Sequence, residues 1–214
     1  MRLFLDRRHG RFGRLLLVLP VLALVAACAQ APREPKANTR VIGLDLWAGD
    51  AGLAGAEAPR VQAVKGTRTL SGPIAWSHPK TGQVIQVYER RNVESDGTRI
   101  QLFTRRADGQ ALGRVFDTRP GRADRHFEND AFFPLGIWSR GESRDFKMVE
   151  YTEQGAQERT ATIKVRRLDF TFRDVPHSLR YDWILRDASG NVLYEERYVY
   201  SPGVGFASFE NRLR

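Results

Sequence analysis

The sequence predicts an all-β chain: an antiparallel β-sandwich or half-open barrel of about eight to ten meandering strands. Three observations carry that expectation. Turn signals recur at regular intervals, at PKTG (79–82), ESDG (94–97), ADGQ (107–110), EQGA (153–156) and DASGN (187–191). Asp-Gly and Ser-Gly pairs at such places supply the positive φ that tight hairpins need. The runs between them are rich in Val, Ile, Tyr, Phe and Thr, as strands are. No segment of helical length carries a 3.6-residue apolar period.

Taken in chain order, Arg40 to Trp47 (RVIGLDLW) reads as an early strand, and residues 48–60 (AGDAGLAGAEAPR) hold little to bury and read as a loop. Successive hairpins fill the chain from Thr69 onward. In TIKVRRLDFTF, Ile163 and Val165 share one parity while Leu168, Phe170 and Phe172 take the other. A slip of one residue at Arg166-Arg167 restores a single apolar face, which predicts a β-bulge there. In SLRYDWILR, Leu179, Tyr181, Trp183 and Leu185 alternate with Arg180, Asp182 and Arg186. In NVLYEERYVY, Val192, Tyr194, Tyr198 and Tyr200 align opposite Glu195 and Arg197. Such alternation marks an antiparallel hairpin with one wet face. The aromatics Phe132, Phe133, Trp138, Phe170, Phe172, Trp183 and the late tyrosines, at strand spacing, read as core. A curved sheet that does not close can still leave among them an apolar groove for an acyl chain.

The N-terminus has a different character. Leu15 to Ala27 is an apolar run of thirteen residues broken by Pro20, preceded by Arg2, Arg7, Arg8, Arg11 and Arg14. A spanning helix needs about 20 apolar residues, so this run is too short. A basic start, a short apolar middle and small residues at the end make a secretory signal pattern. Val25-Ala26-Ala27-Cys28 resembles a bacterial lipobox, with the chain's one cysteine directly after the apolar run. That resemblance implies cleavage after Ala27, lipidation of the Cys28 thiol and acylation of the new N-terminus. Several acyl chains on one residue hold far better than one, since each buried methylene contributes about 0.8 kcal/mol. Ala29 follows the cysteine, not the aspartate that retains such proteins at the inner membrane. The resemblance therefore implies the periplasmic face of the outer membrane as the address and the membrane as a partner through the anchor. The expected organisation is a cleaved signal peptide at 1–27, a lipidated cysteine with a polar, Pro-containing tether at 28–39, and one all-β domain at 40–214.

Composition narrows the function classes. The formal charge is +9, and residues 1–27 carry five arginines and one aspartate, which leaves the mature chain near +5. That balance suits an anionic lipid, polymer or envelope protein complex; nucleic acid is not expected at a periplasmic address. With Cys28 lipidated, no thiol is left for cysteine catalysis or thiolate metal binding. About 187 residues bury enough surface to fold without a disulfide.

Two C-terminal stretches, DAFFPLGIWSRGES (130–143) and YSPGVGFASFENRL (200–213), resemble segments of uncharacterised periplasmic lipoproteins of β-sandwich or curved-sheet type. That resemblance implies a fold and no activity.

Candidate sites are few. His78, His126 and His177 lack ligand spacing and read as turn or surface residues, so neither a metal nor another cofactor is expected. In RADRHFEND (122–130), a solvated loop before the apolar AFFPLGIW is the favoured reading; the alternative is a strand with Asp124, His126, Glu128 and Asp130 on one face as a cation site. There is no G-x-S-x-G elbow and no phosphate loop ending in Lys-Ser/Thr, and the chain is not expected to be an enzyme. The most basic segment runs from Arg99 to Arg125, with seven arginines against three aspartates. Guanidinium forks suit phosphate and carboxylate, which nominates Arg105, Arg106 and Arg114 as an anionic-ligand face. The favoured reading of the segment is nevertheless the polar face of two hairpins, with its arginines paired to neighbouring acids. The expected function is a non-catalytic binding or assembly module of the cell envelope. The alternative is a carrier of a lipid or other apolar ligand in a curved-sheet cavity, with an envelope-polymer enzyme third.

Overall fold

A computed structural model describes residues 38–49, 61–63 and 66–213. The signal peptide, Cys28 and nearly all of the tether lie outside the described residues, as do residues 50–60 of the expected loop.

The described chain is all-β and antiparallel, and its main sheet is not closed into a barrel. Its strands are β1 (Thr39–Ile42), β2 (Val61–Ala63), β3 (Gly66–Ser77), β4 (Val84–Glu94), β5 (Gly97–Arg105), β6 (Ala111–Thr118) and β7 (Arg125–Glu128). There follow β8 (Phe133–Pro134), β9 (Gly136–Ser139), β10 (Ser143–Thr152), β11 (Gly155–Phe172), β12 (Val175–Arg186), β13 (Val192–Ser201) and β14 (Gly205–Asn211). One short helix, α1 (Leu44–Ala48), follows β1. Eleven strands run in one path, β14-β13-β12-β11-β10-β7-β6-β5-β4-β3-β2, with β8 on the side of β6. β1 and β9 form a separate pair. The expected all-β, antiparallel fold is the one observed, as one long unclosed sheet and a separate two-stranded pair. The strand number exceeds expectation because β1, β2, β7, β8 and β9 have four residues or fewer, too few to show alternation.

All five expected turn segments lie at hairpin turns. A sixth, Arg173-Asp174 between β11 and β12, has φ of 47° and 66° without any glycine. Two consecutive positive φ values suit a two-residue hairpin, but Arg-Asp carries no such signal in sequence. The bulge is present: Val165 faces Tyr181 and Arg167 faces Arg180, so Arg166 is the extra residue. Beyond it Phe170 is buried, on the parity opposite to Ile163 and Val165.

The early strand needs correction. β1 starts at Thr39, the last residue of the expected tether, and ends at Ile42; Leu44 to Ala48 are helical. Leu46, Trp47 and Ala48 are all buried. Three consecutive residues cannot share one face of a strand, whereas a helical turn sunk into the core covers all three. The Trp47 ring meets Phe103 edge-on at 5.0 Å. Gly49 and Gly205 make this docking work. A Cβ on Gly49 would lie 2.3 Å from the Gly205 nitrogen, and one on Gly205 would lie 2.9 Å from the Trp47 carbonyl oxygen.

The segment 122–130 is neither a solvated loop nor a one-faced cation strand. Its centre is β7, between β6 and β10, with Phe127 fully buried. Asn129, with φ of 57°, then breaks the alternation, so Asp130 leaves the row of His126 and Glu128 and reaches Arg114 instead. His78 is also buried rather than a surface residue. Its Nε2 lies 3.1 Å from the Phe127 carbonyl oxygen, and its Nδ1 accepts from the Lys80 N–H at 3.2 Å.

Candidate functional site

A cavity of about 560 Å³ opens between the two ends of the sheet. β3 to β6 supply its polar wall through Arg68, Arg90, Arg99 and Arg114; β12 to β14 supply its apolar wall through Trp183, Tyr198, Phe206 and Phe209. Phe132 belongs to both, since the guanidinium groups of Arg90 and Arg114 lie 5.8 and 5.0 Å from its ring centre. Seven arginines line the cavity, against one carboxylate, Glu196.

Register explains how the polar wall forms. Arg68 faces Asn92, Arg90 faces Gln101, Asn92 faces Arg99 and Gln101 faces Asp117 across successive strands. Polar residues thus occupy the inward positions here. Their neighbours Val87, Leu102 and Val115 pack as a small apolar cluster of their own.

The arginines differ in what neutralises them. Arg114 bonds through Nε to Asp130 at 2.9 Å, and its ring-like stacking partners include Trp183 at 4.6 Å. Burial alone would lower its pKa, but the Asp130 and Asp117 carboxylates outweigh burial and raise it. Its Nη2 has no partner among the described residues. Arg99 donates two bonds, 2.8 and 2.7 Å, to Asp117, which Arg119 also approaches at 3.6 Å. Burial acts to raise the Asp117 pKa; the Arg99 hydrogen bonds, with the charges of Arg99, Arg114 and Arg119, overcome it and hold the pKa below the ordinary carboxylate value. Arg125 bonds to Glu150 at 2.8 and 2.5 Å, and Arg159 shares that carboxylate at 3.1 Å.

Arg68 and Arg90 have no carboxylate partner among the described residues. Arg90 donates from Nε and Nη2 to the Gln101 side-chain oxygen at 3.0 and 2.5 Å and stacks on Phe103 at 4.8 Å. Arg68 donates to the Asn92 side-chain oxygen at 3.3 Å and stacks on Phe206 at 4.9 Å. They are 7% and 8% exposed. Buried guanidinium groups normally come with an anion, because desolvating an uncompensated charge costs several kcal/mol. Burial, then repulsion from Arg90, lowers the Arg68 pKa to about 10.

Comparison with protein-family models, with curated proteins and with solved structures found no match. The chemistry of the cavity therefore has to speak for itself.

Of the three arginines nominated from sequence, only Arg114 is in the cavity. Arg105 is exposed at the end of β5. Arg106 bonds to Asp108 at 3.1 Å, donates to the Asn129 carbonyl and stacks on Phe146 at 4.9 Å. The structure does not bring the three together. Sequence reasoning missed Arg68 and Arg90, which lie outside the basic segment. Their signal was faint: Arg90 and Asn92, like Arg99 and Gln101, sit at alternate positions as on a wet strand face, and only register turns that face inward. The aromatics read as core divide between two roles. Phe133 and Trp138 are fully buried, while Phe132, Trp183, Tyr194 and Tyr198 border the cavity.

A second hollow of about 440 Å³ differs in kind. Its polar groups bond to one another: Thr162 to Asp145 at 2.6 Å, Arg186 to Thr162 at 2.7 Å and Lys147 to Thr160 at 3.1 Å. The first cavity is set apart by buried cations that the described residues leave without a carboxylate.

Proposed function

We propose that the chain is an envelope lipoprotein whose β domain is a non-catalytic binding module, taking an anionic amphiphile into the arginine–aromatic cavity. The carrier alternative raised by the sequence is thus preferred to a surface that assembles with another protein. The observation that carries this reading is the pair Arg68 and Arg90, buried at a cavity of about 560 Å³ and met, among the described residues, by amide oxygens and not by a carboxylate. An arginine wall binds the charged end of a ligand. The facing Trp183, Phe206 and Phe209 take its apolar end, and pockets of several hundred Å³ are the size in which small ligands are held. The lining holds no histidine or cysteine among the described residues, which favours holding a ligand over transforming it.

The test uses the chain from residue 28 with Cys28→Ser, which carries no lipid, and anilinonaphthalene sulfonate, a planar apolar anion that brightens in apolar surroundings. Saturable enhancement, displaced by decyl phosphate and weakened about tenfold or more in Arg90→Gln, is expected. Absence of saturable binding, or equal binding by Arg90→Gln, would overturn the reading. The anchor is tested separately: palmitate label incorporated by the full chain and lost in Cys28→Ser supports lipidation at Cys28, and label retained in that variant refutes it.

A further inference from the structure

We infer that the head group of the ligand is a dianion, a phosphate monoester borne on an apolar body. This rests on the binding reading above and adds the charge and chemistry of the head.

The inference follows from the charge balance of the cavity. Asp130 answers Arg114. Asp117 answers two cations, Arg99 and Arg119, and Glu150 answers two, Arg125 and Arg159. Each of these carboxylates leaves one positive charge over. Arg68 and Arg90 add two more, because their partners Asn92 and Gln101 are neutral. Glu196, whose carboxylate accepts from the Tyr198 hydroxyl at 2.5 Å, returns one negative charge to the lining. With Arg173, which also lines the cavity, about four positive charges stay unanswered among the described residues, and a carboxylate or sulfate ester could answer only one. A phosphate monoester carries close to two negative charges at neutral pH and above.

Hydrogen-bond capacity points the same way. Arg114 Nη2 and Arg119 Nε are buried donors without an acceptor among the described residues. Buried donors left unpaired cost about 1–3 kcal/mol each, and both belong to side chains that line the cavity. Arg114 is 4% exposed, so its free Nη2 has little recourse to bulk water. The three terminal oxygens of a phosphate can meet several guanidinium forks at once, whereas a carboxylate has two. The aromatic wall and the cavity volume exceed what a bare phosphate fills, which assigns the remaining space to an apolar body.

The experiment is calorimetric titration of the Cys28→Ser chain at pH 8 with decyl phosphate, decyl sulfate, decanoate and inorganic phosphate, below micelle-forming concentrations. Decyl sulfate shares the tetrahedral head and the tail but carries one charge. Decyl phosphate is expected to bind about tenfold or more tighter than either single-charged amphiphile. In the Arg68→Gln/Arg90→Gln double variant that preference falls to about threefold or less. Arg90→Lys, which keeps the charge, retains it, and urea midpoints confirm that each variant folds. Equal affinity for the three amphiphiles would overturn the dianion while leaving the binding module standing. Binding of none would overturn the binding module itself. Inorganic phosphate matching decyl phosphate would support the phosphate head and overturn the apolar body, moving the source from a lipid-like ester to a soluble one.

Discussion

Arg90 and Asp117 face the same strand from opposite sides of a balance sheet of charge, so their removal has opposite consequences. Arg90→Gln removes a buried cation that no carboxylate among the described residues neutralises, while retaining an amide that can bond to Gln101. Lost hydrogen bonds and relieved desolvation offset each other, and stability measured in urea is expected to stay within about 1 kcal/mol. Asp117→Asn instead strands Arg99 and Arg119 without their carboxylate. A loss of about 3 kcal/mol is expected, read as a fall in the urea midpoint. Conventional reasoning would rank the two the other way, since only Arg90 lines the cavity.

Arg68 gives the site a pH dependence with a definite sign. Its pKa in the fold, about 10, lies below that of a free guanidinium. The burial penalty is therefore present in full below pH 10 and relieved as pH rises past it. Anion affinity runs in the opposite sense: it is level from pH 7 to 9 and falls as pH climbs through about 10, where Arg68 sheds its proton. Arg90, Asn92, Tyr200 and Phe206 surround Arg68. Nearby Tyr198 and Tyr181 stay protonated in this range, because burial pushes both well above 10. Titrating decyl phosphate across pH 7–11 checks this, and in Arg68→Gln the fall near pH 10 should vanish. None of this was visible in sequence, where Arg68 and Arg90 look like ordinary solvent-facing residues.

Among the elements, β6 depends on a glycine. A Cβ at Gly113 would lie 1.9 Å from the Asp130 carbonyl oxygen, in the backbone that brings Asp130 to Arg114. Gly113→Ala forces that segment away and is expected to cost about 3 kcal/mol, together with most of the anion affinity. Gly109→Ala serves as the control for ligand binding: a Cβ there meets nothing within 4 Å, so the variant carries only the backbone strain of its φ of 68°. Legibility at this scale followed the physics of alternation. The bulge at Arg166 was readable because apolar parity switches across it. The hairpin at Arg173-Asp174 was not, because its residues give no hint of positive φ. α1 was misread as strand because five residues are too few for a helical period.

On the opposite face of the late strands, Asp182 shows how differently the chain treats a buried charge it intends to keep. Arg166 and Arg197, from the strands on either side, donate to it at 2.6 and 2.7 Å. Burial raises the Asp182 pKa, but the hydrogen bonds from Arg197 and Arg166 prevail and lower it. Asp182 is fully buried while Arg166 and Arg197 are 37% and 24% exposed, so the carboxylate and its two solvated cations form one structural unit. The amides beside Arg68 and Arg90 form no such unit.

For the molecule as a whole, the sequence was informative about class and silent about enclosure. Regular turns and β-rich runs established an antiparallel meander. Whether the ends of that meander meet depends on accumulated twist and on docking such as that of Trp47 against Phe103, which no local pattern records. Occupancy of the cavity should stabilise the entire fold through linkage. At a ligand concentration 100 times Kd the gain is about 2.7 kcal/mol, or a Tm rise of roughly 5–10 °C for a chain of this size. Differential scanning calorimetry with decyl phosphate checks this, and the rise should disappear in the Arg68→Gln/Arg90→Gln variant.

The unjoined ends of the sheet also bear on kinetics. β14 and β2 are its two edges, yet Phe206 of β14 stacks with Arg68 of β3. Among the described residues the boundary between them is held by side chains and not by a backbone ladder. A sealed barrel makes a long guest thread through one end, so exchange slows as the guest lengthens. Here a guest can be laid in broadside when a few side chains swing aside, and its rate of capture should hardly change from a ten-carbon to a sixteen-carbon tail.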